Sequence, residues 1–445
     1  MNRLIKIGKK IFPLNRSLTG NDNLKTLTIL KTEVPKLKIK YFPCNKKVYD
    51  WRIPDEWNLK KAYIKDKFNK KIIDIKKNNL HVVSYSTKIN KNITLKKLLK
   101  KIYSNKKIKN AIPYVTSYYH KNWGFCLSED QKKKIIKKYK KNDLFKVVID
   151  SNFKKKGKMH YGEIFIPGKN KEEILITTYI CHPSMANNEL SGPLVSLALA
   201  KFFMKKKLKC SLRFLFTPET IGAVSYINEN FKKLKKDVKG GYVLSCIGDE
   251  RNYSLMLSKY SNSISDIAAI EAYKQLSIKF KKYSFLTRGS DERQYNSPFI
   301  NLGLSGIMRT KYAKYKEYHT SLDQFDTVVT AKGLKGGFKV AKKAILNLDV
   351  KKRNQYNFLK NKKNPIAKFI CEPQLSKRNL TYQISNLAGG RDESNTLRKN
   401  ILNFLQYADG SNSLVEISKI IKLKTKTLNM VAKICKKHNL IKSIQ

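Results

Sequence analysis

The stretch from 174 to 192 reads ILITTYICHPSMANNELSG. Its first seven residues are aliphatic, aromatic or β-branched, which predicts a strand buried on both faces. Polar residues with catalytic chemistry come next, and a mostly apolar helical stretch begins near residue 192. A buried strand that ends in a polar loop before a helix is typical of one unit of a parallel sheet.

The same alternation of strand and helix continues through residues 129–350. Further strands are predicted at 145–150, 212–216 and 242–247, and helical stretches at 192–204, 221–234 and 331–348. This order predicts a mainly parallel sheet with helices on both faces. Ligands of such sheets bind just beyond the carboxyl ends of the strands. The loops after the strands are therefore where a site should lie.

Polar residues of catalytic types follow the predicted strands or lie in the later loops. They are His182, Asn188, Glu189, Glu219, Asp249, Asp291, Glu292, Arg293 and His319. Histidines and carboxylates from several loops are what a hydrolytic zinc site needs, together with a further carboxylate that takes a proton from water. A serine triad through Ser191 or Ser290 is disfavoured, because neither serine lies in a G-x-S-x-G elbow.

The segments outside this sheet differ in composition and pattern. Residues 1–45 are predicted to be a helical part of the catalytic domain. Short apolar stretches between Lys/Asn turns predict a small inserted β-rich domain over 46–128. After a Lys/Asn-rich linker near 351–365, residues 366–445 show three short helices with an extended end, which is the pattern of a winged helix.

The net charge of +60 over 445 residues raises the question of a polyanionic partner. Lysine supplies 81 of the 93 basic residues and arginine only 12, although a surface that reads phosphates should use the bidentate guanidinium group more often. The lysines also spread along nearly the whole chain. We interpret them as the composition of a lysine-rich proteome, and expect no sequence-specific binding of nucleic acid.

The seven cysteines are scattered and include no CxxC pair. This pattern disfavours both a disulfide framework and a structural zinc site. The N-terminal stretch has no apolar segment of the length that a signal peptide needs, and no run of about 18 apolar residues predicts a membrane span. We therefore expect a cytoplasmic protein with reduced thiols and no membrane span.

Several motifs, in this order along the chain, resemble bacterial aminopeptidase-like proteins that are often encoded in surface-polysaccharide gene clusters. They include FPLNRSLTG (12–20), YDWRIPDEW (49–57), IPYVTSYY (112–119), CHPSMANNELSG (181–192), TPETIG (217–222), GSDERQY (289–295) and YHTSLD (318–323). That group is similar to zinc exopeptidases of the leucyl aminopeptidase and glutaminyl cyclase kind. The resemblance implies a three-layer α/β/α, phosphorylase-like sandwich with an inserted β domain, and a winged-helix tail is typical of the group.

The resemblance also implies roles for single residues. His182 and His319 match metal ligands, Glu219 matches the general base, and Asn188 stands where the similar enzymes have a bridging aspartate. Two further carboxylate ligands of those enzymes are replaced by Thr220 and Ser245. An amide oxygen can bind zinc but brings no charge, so one zinc ion is expected more than two. The residues that could compensate as ligands or contact substrate are Glu189, Asp249, Asp291, Glu292 and Arg293.

Two functions remain open at this point. The first is a metal-dependent hydrolase that cleaves an amide bond in a peptide-like substrate or an N-acylated sugar precursor, in surface-polysaccharide metabolism. The second is a catalytically degenerate peptidase fold that binds or regulates a partner, which the lost carboxylate ligands favour. The winged helix is expected to dock on the catalytic domain or to build a homo-oligomer.

Overall fold

The computed structural model describes residues 1–353, 360–361, 363–381 and 396–442. Part of the predicted linker (354–359 and 362) and part of the C-terminal unit (382–395 and 443–445) lie outside the described residues. The helices are α1 (Asn2–Ile11), α2 (Asn21–Glu33), α3 (Leu95–Leu99), α4 (Glu129–Lys138), α5 (Ser191–Phe203), α6 (Ile221–Asp237), α7 (Ile264–Gln275), α8 (Glu292–Tyr295), α9 (Ala331–Val350), α10 (Thr396–Tyr407), α11 (Leu414–Ile421) and α12 (Thr425–Lys437). In the described ranges, no helix has both the length and the apolar character needed to cross a membrane.

The strands fall into one large sheet and smaller ones. They are β1 (Lys38–Pro43), β2 (Lys47–Val48), β3 (Trp51–Arg52), β4 (Glu56–Lys65), β5 (Lys71–Asp74), β6 (Ile89–Thr94), β7 (Ile102–Tyr103), β8 (Phe125–Cys126), β9 (Leu144–Lys154), β10 (Lys158–Ile166), β11 (Glu173–Tyr179), β12 (Ser211–Thr217), β13 (Val238–Leu244), β14 (Ser254–Met256), β15 (Lys281–Tyr283) and β16 (Ser305–Met308).

The large sheet has the strand order β1-β10-β12-β11-β13-β16-β14-β15. Its central strands β12, β11, β13 and β16 run parallel to one another. At one edge β10 and β1 join antiparallel, and at the other β14 joins β16 antiparallel. The predicted parallel sheet is therefore confirmed for its centre, while both edges contain antiparallel pairs.

Helices cover both faces of this sheet. Ile174 and Ile176 of β11 pack into the core shared with α1, α5, α7 and α9, whereas Leu175 packs into the core beside α6. This alternation is the two-residue period of a strand. Because both faces are buried, the strand reads as a nearly continuous apolar run. The predicted three-layer α/β/α sandwich is confirmed.

The prediction that residues 145–150 join the main sheet is wrong. They lie in β9, which pairs antiparallel with β4 and β6 in a four-stranded sheet of order β5-β4-β9-β6. A continuous apolar run predicts a buried strand but does not say which sheet the strand joins. The strand pairing of the small β unit thus extends past the boundary predicted at residue 128, and the chain, which first contributes β1 to the main sheet, returns to that sheet with β10.

The C-terminal unit is the predicted winged helix. Helices α10, α11 and α12 share one apolar core, to which Phe404, Ile417 and Leu428 contribute one residue from each helix. Two β-bridges, Ile366 with Asp409 and Ala367 with Ile441, bring the extended ends of the unit together. Its core also touches side chains of the catalytic domain, so the unit is docked on that domain.

A close contact between the central strands β13 and β11 supplies a test of the fold. A Cβ added at Gly241 of β13 would lie 1.9 Å from the carbonyl oxygen of Leu175 in β11. Gly241→Ala should lower the free energy of unfolding by about 1–3 kcal/mol in urea denaturation, because the backbone must move apart. Gly306→Ala in the central strand β16 is the control, since the nearest atom to its added Cβ is the side-chain Cβ of Met256 at 3.1 Å. Equal losses in both variants would contradict the prediction.

Candidate active site

The predicted site residues come together at the carboxyl edge of the main sheet. β11 leads into the loop with His182, and its neighbour β12 leads into the loop with Glu219. β16, two strands away on the other side, leads into the long loop that carries His319. Because these strands are parallel, the loops after them meet at one edge.

The two predicted histidine ligands lie side by side. The ring centroids of His182 and His319 are 5.3 Å apart. Tyr114, from a loop of the small β unit, packs edge-on against both rings at centroid distances of 5.0 and 5.4 Å. Its backbone N–H also donates to the carbonyl oxygen of His319 at 3.0 Å. Tyr318 stacks on His319 with a centroid distance of 4.0 Å, so aromatic contacts from several segments fix the pair.

His182 has a carboxylate at each ring nitrogen. Glu189 hydrogen bonds to Nδ1, and Oε2 of Glu219 lies 3.6 Å from Nε2. The Glu189 side chain is 0% exposed and the Glu219 side chain is 22% exposed, so Nε2 faces the open side. Burial opposes the charged imidazole, but Cys181 and Glu189 raise the pKa of His182 well above its usual range. A carboxylate on one ring nitrogen is the usual outer partner of a histidine that binds metal through the other.

Asn188 lies in a buried π-helical turn just before α5. Its side-chain nitrogen donates to the hydroxyl of Tyr179 at 3.2 Å, and its Oδ1 is buried without a hydrogen-bond partner among the described residues. The carboxylate of Asp323 accepts the backbone N–H groups of Asn187 and Asn188 at 2.7 and 2.8 Å. Asp323 follows His319 by four residues, so it links the loop of His319 to the loop that carries His182 and Asn188.

The loop that carries Glu219 is held by the segment with Asp291 and Arg293. Thr220 has a φ of +62°, a conformation that a β-branched residue rarely adopts. Its N–H donates to Oδ1 of Asp291 at 2.7 Å, and its hydroxyl accepts a hydrogen bond from Arg293. Burial raises the pKa of Glu219 above its usual value, although His182 and Arg293 oppose the shift. Burial and the nearby Glu219 raise the pKa of Asp291 well above its usual range.

Asp249 and Glu292 are engaged in local hydrogen bonds. One oxygen of Asp249 accepts from the Asn187 side chain at 3.1 Å and the other from the hydroxyl of Thr310 at 2.6 Å. Glu292 accepts from the hydroxyl of Tyr312 at 2.6 Å and from two backbone N–H groups at the start of its own helix. Through these bonds both carboxylates stabilise the loops around the site. Their contacts do not indicate that either one is a metal ligand.

Three residues that contact the site were not predicted as site residues from the sequence. Arg16 is fully buried and donates to the carbonyl oxygen of His182 at 2.7 Å. Burial lowers the pKa of Arg16 to about 10, and the nearby Glu189 opposes that shift. Asp323 and Tyr114 also touch the site, as described above. Each of the three lies inside a motif, FPLNRSLTG, YHTSLD or IPYVTSYY. Their place in these motifs is the signal in the sequence that could have pointed to them.

The donor atoms at this edge fit a zinc ion. Cys181, His182 and Glu189 bring a sulfur, a nitrogen and an oxygen within 4.8 Å of one another, but all three are buried and Nδ1 of His182 already bonds to Glu189. On the open side lie the two imidazoles and the partly exposed carboxylate of Glu219. The Oδ1 of Asn188, in the turn that follows His182, is buried and accepts no hydrogen bond among the described residues. Oε1 of Glu189 and Oδ2 of Asp291 are also buried acceptors without donors among the described residues, and such atoms call for a cation or water as partner. Zinc takes such nitrogen and oxygen ligands.

Comparison with protein families identifies the group. A family described as a domain of unknown function, DUF4910, matches residues 5–351, and a winged helix-turn-helix family matches residues 365–443. The chain belongs to the DUF4910 family. It is also 37% identical over 410 residues to the Clostridium acetobutylicum protein named "Putative polysaccharide biosynthesis protein with aminopeptidase-like domain", a match that covers 92% of this chain and 89% of the relative. The resemblance to aminopeptidase-like proteins is confirmed.

Solved structures support the same fold for this DUF4910 chain. A structure titled "putative peptidase" from Clostridium acetobutylicum is 34% identical with a TM-score of 0.74, over 99% of this chain and 96% of that one. A zinc aminopeptidase from Bacillus subtilis has a TM-score of 0.56 at 13% identity, over 79% of this chain and 96% of that one. A peptidase M28 precursor from Shewanella amazonensis has a TM-score of 0.54 at 12% identity, over 80% and 98%. The last two show the fold alone.

The link made by Asp323 can be tested directly. In Asp323→Asn the amide can accept only one of the two backbone N–H groups that the carboxylate accepts. We expect zinc affinity, measured by competition with a chromophoric chelator, to fall about 10–100-fold, as for other outer partners of metal ligands. Asp326→Asn is the control, because Asp326 is an exposed residue paired with Lys9. Equal zinc affinity in the two variants would contradict the role of Asp323.

Proposed function

We propose that this chain is a metal-dependent hydrolase that cleaves an amide bond, with zinc held by His182, His319 and the Oδ1 of Asn188. One observation carries the proposal: two imidazoles whose centroids lie 5.3 Å apart have the partly exposed carboxylate of Glu219 beside them, 3.6 Å from Nε2 of His182. Two nitrogens and one neutral oxygen leave an open position in a four-coordinate site, which is the arrangement of a catalytic zinc.

One zinc ion fits these residues better than two. Asn188, Thr220 and Ser245 stand where the similar zinc exopeptidases have carboxylates, and none of the three brings a negative charge. Thr220 is also engaged with Asp291 and Arg293. A second divalent ion would therefore have few charged oxygens to bind.

The side chains of the site have separate tasks in this proposal. When bound, zinc would polarise the substrate carbonyl and acidify water. Glu219 takes a proton from water and delivers it to the leaving nitrogen, a task for which a carboxyl group with a raised pKa is suited near neutral pH. Glu189 holds His182 in the orientation that directs Nε2 to the open side. Tyr114 covers both imidazoles and keeps water from that side.

The substrate is proposed to be a peptide-like compound or an N-acylated sugar precursor. The support is the name of the Clostridium acetobutylicum relative, which joins polysaccharide biosynthesis to an aminopeptidase-like domain. We place the reaction in the cytoplasm, because all seven cysteines are buried and unpaired, as expected where thiols stay reduced.

A second candidate is a protein that binds or regulates a partner with the same pocket. The neutral residues Asn188, Thr220 and Ser245 favour it, since they weaken metal binding. The two candidates differ in what Glu219 does, because a binding pocket has no need of a proton acceptor beside the histidines. Metal content and turnover therefore separate them.

The decisive variant is Glu219→Gln. Protein purified without chelator should contain about one zinc per chain by elemental analysis, in the wild type and in the variant alike. The variant should hydrolyse amides about 10²–10⁴-fold more slowly, because it lacks the base that takes the proton. Glu229→Gln, on the exposed part of α6, is the matched control and should behave as the wild type, since Glu229 forms a surface ion pair with Lys46 away from the site.

Substrates for this test are aminoacyl p-nitroanilides and N-acetylated aminosugars. Loss of zinc from a folded Glu219→Gln protein would make Glu219 a ligand and would contradict its assignment as base. Zinc-loaded wild type that cleaves none of these compounds would favour the binding protein instead. Wild type without metal would overturn the zinc site itself.

We also propose that the winged helix is not a sequence-specific reader of DNA. The outward face of α12 presents Lys426, Asn429, Met430 and Lys433 as exposed residues and contains no arginine, the residue that most often reads guanine. In competition at near-physiological salt, no sequence should bind about 10³-fold more tightly than random DNA. Loose binding that falls steeply with salt is expected from the lysines alone. A strongly preferred sequence would contradict the proposal.

A further inference from the structure

Glu372 belongs to the segment that leads into the winged helix, within the matched residues 365–443. Its side chain is 4% exposed. One carboxylate oxygen accepts from Arg288 at 2.9 Å and from the amide of Gln406 at 2.9 Å. The other lies 3.5 Å from Nη1 of Arg293. A buried carboxylate of the C-terminal unit therefore neutralises two arginines of the catalytic domain.

Arg293 contacts both Glu372 and the loop of the active site that carries Glu219. Its Nη2 donates to the hydroxyl of Thr220, the residue directly after Glu219. Thr220 has a φ of +62°, and a β-branched residue keeps such a conformation only where its surroundings hold it there. The hydrogen bonds from Arg293 and to Asp291 hold it together with the backbone bond that its carbonyl oxygen accepts from Val224. Removing one of them should let the loop relax and turn the carboxylate of Glu219 away.

We propose that Glu372 is a positioning residue of the active site, which fixes the direction of Glu219 through Arg293 and Thr220. The winged-helix unit is then a working part of the catalytic site and not only an appended module. The consequence for turnover rests on the proposed function, because it takes Glu219 as the base. The mechanical link between Glu372 and the loop of Glu219 does not depend on that function.

Other contacts dock the same unit without touching this loop. Asp409 forms a buried ion pair with Lys259 at 3.0 Å, and the hydroxyl of Tyr407 donates to the carbonyl oxygen of Lys259 at 2.9 Å. Asp409 is also a buried carboxylate of the C-terminal unit paired with a cation of the catalytic domain, as Glu372 is. It therefore supplies a matched control that separates docking from positioning.

The experiment compares four variants of the full chain by hydrogen–deuterium exchange with mass spectrometry, read in the peptide over residues 217–222. They are Glu372→Gln, Asp409→Asn, Thr220→Val and the double variant Glu372→Gln/Thr220→Val. Valine keeps the branched shape of threonine but cannot accept the hydrogen bond from Arg293. Circular dichroism establishes that each variant is folded.

In Glu372→Gln and in Thr220→Val, exchange in this peptide should become faster by at least about tenfold. The first change removes the negative charge that pairs with Arg293 at 3.5 Å, and the second removes the acceptor of the charge-assisted hydrogen bond from Arg293. The double variant should exchange no faster than Thr220→Val, since both changes break the same link. Asp409→Asn should leave the exchange rate of this peptide within about twofold of the wild-type rate. The reason is that loss of the Asp409–Lys259 pair loosens only the surroundings of that docking contact.

Three results would overturn the inference: unchanged exchange in Glu372→Gln, unchanged exchange in Thr220→Val, or an equal effect of Asp409→Asn. The Thr220→Val arm tests the link even if Glu372→Gln does not fold. Turnover is measured alongside, and Glu372→Gln should lower kcat while KM stays near the wild-type value. If the wild type has no hydrolase activity, the exchange result still decides the inference, so failure of the proposed function is distinguishable from failure of the link.

Discussion

The carboxylate of Asp323 accepts the backbone N–H groups of Asn187 and Asn188 across 136 and 135 residues of chain. Because Asp323 stands four residues after His319 and the turn that donates the N–H groups follows His182 by five and six residues, this contact links the two segments that carry the histidines. A buried carboxylate needs such donors, since burial without partners is costly. Burial raises the pKa of Asp323 to about 7. The other loops of the site meet around this link between the segments of His182 and His319.

The parts of the fold and the site that could be predicted from the sequence follow from the local pattern of apolar and polar residues and from the geometry of parallel strands. Strands 174–180 and 212–216 are continuous apolar runs that end in polar residues, and parallel strands bring their carboxyl ends to one edge. His182, Glu219 and His319 could therefore be assigned to a single site before any coordinates. The α/β/α layers and the winged helix followed in the same way from the order of elements.

The parts that could not be predicted depend on long-range contacts. Residues 145–150 have the composition of any buried strand, and only the pairing of β9 with β4 and β6 reveals the sheet that they join. Arg16 reaches the carbonyl of His182 across 166 residues, and Arg293 reaches Glu372 from a different domain. No local pattern marks a charged residue as buried, because charged residues are mostly exposed. Such partners are seen only when the loops are brought together.

Thr220 shows how a neutral residue can change the contacts around a site. The resemblance to zinc exopeptidases implies a carboxylate at this position, whereas here a hydroxyl accepts a hydrogen bond from Arg293 and the N–H donates to Asp291. A glutamate there could bind a cation itself and would pair differently with the guanidinium group. Threonine brings no charge, and the buried Arg293 forms its ion pair with Glu372, whose oxygen lies 3.5 Å from Nη1. Glu372 of the C-terminal unit balances the charge of Arg293, so the neutral residue beside Glu219 and the docked winged helix are parts of one arrangement of charge.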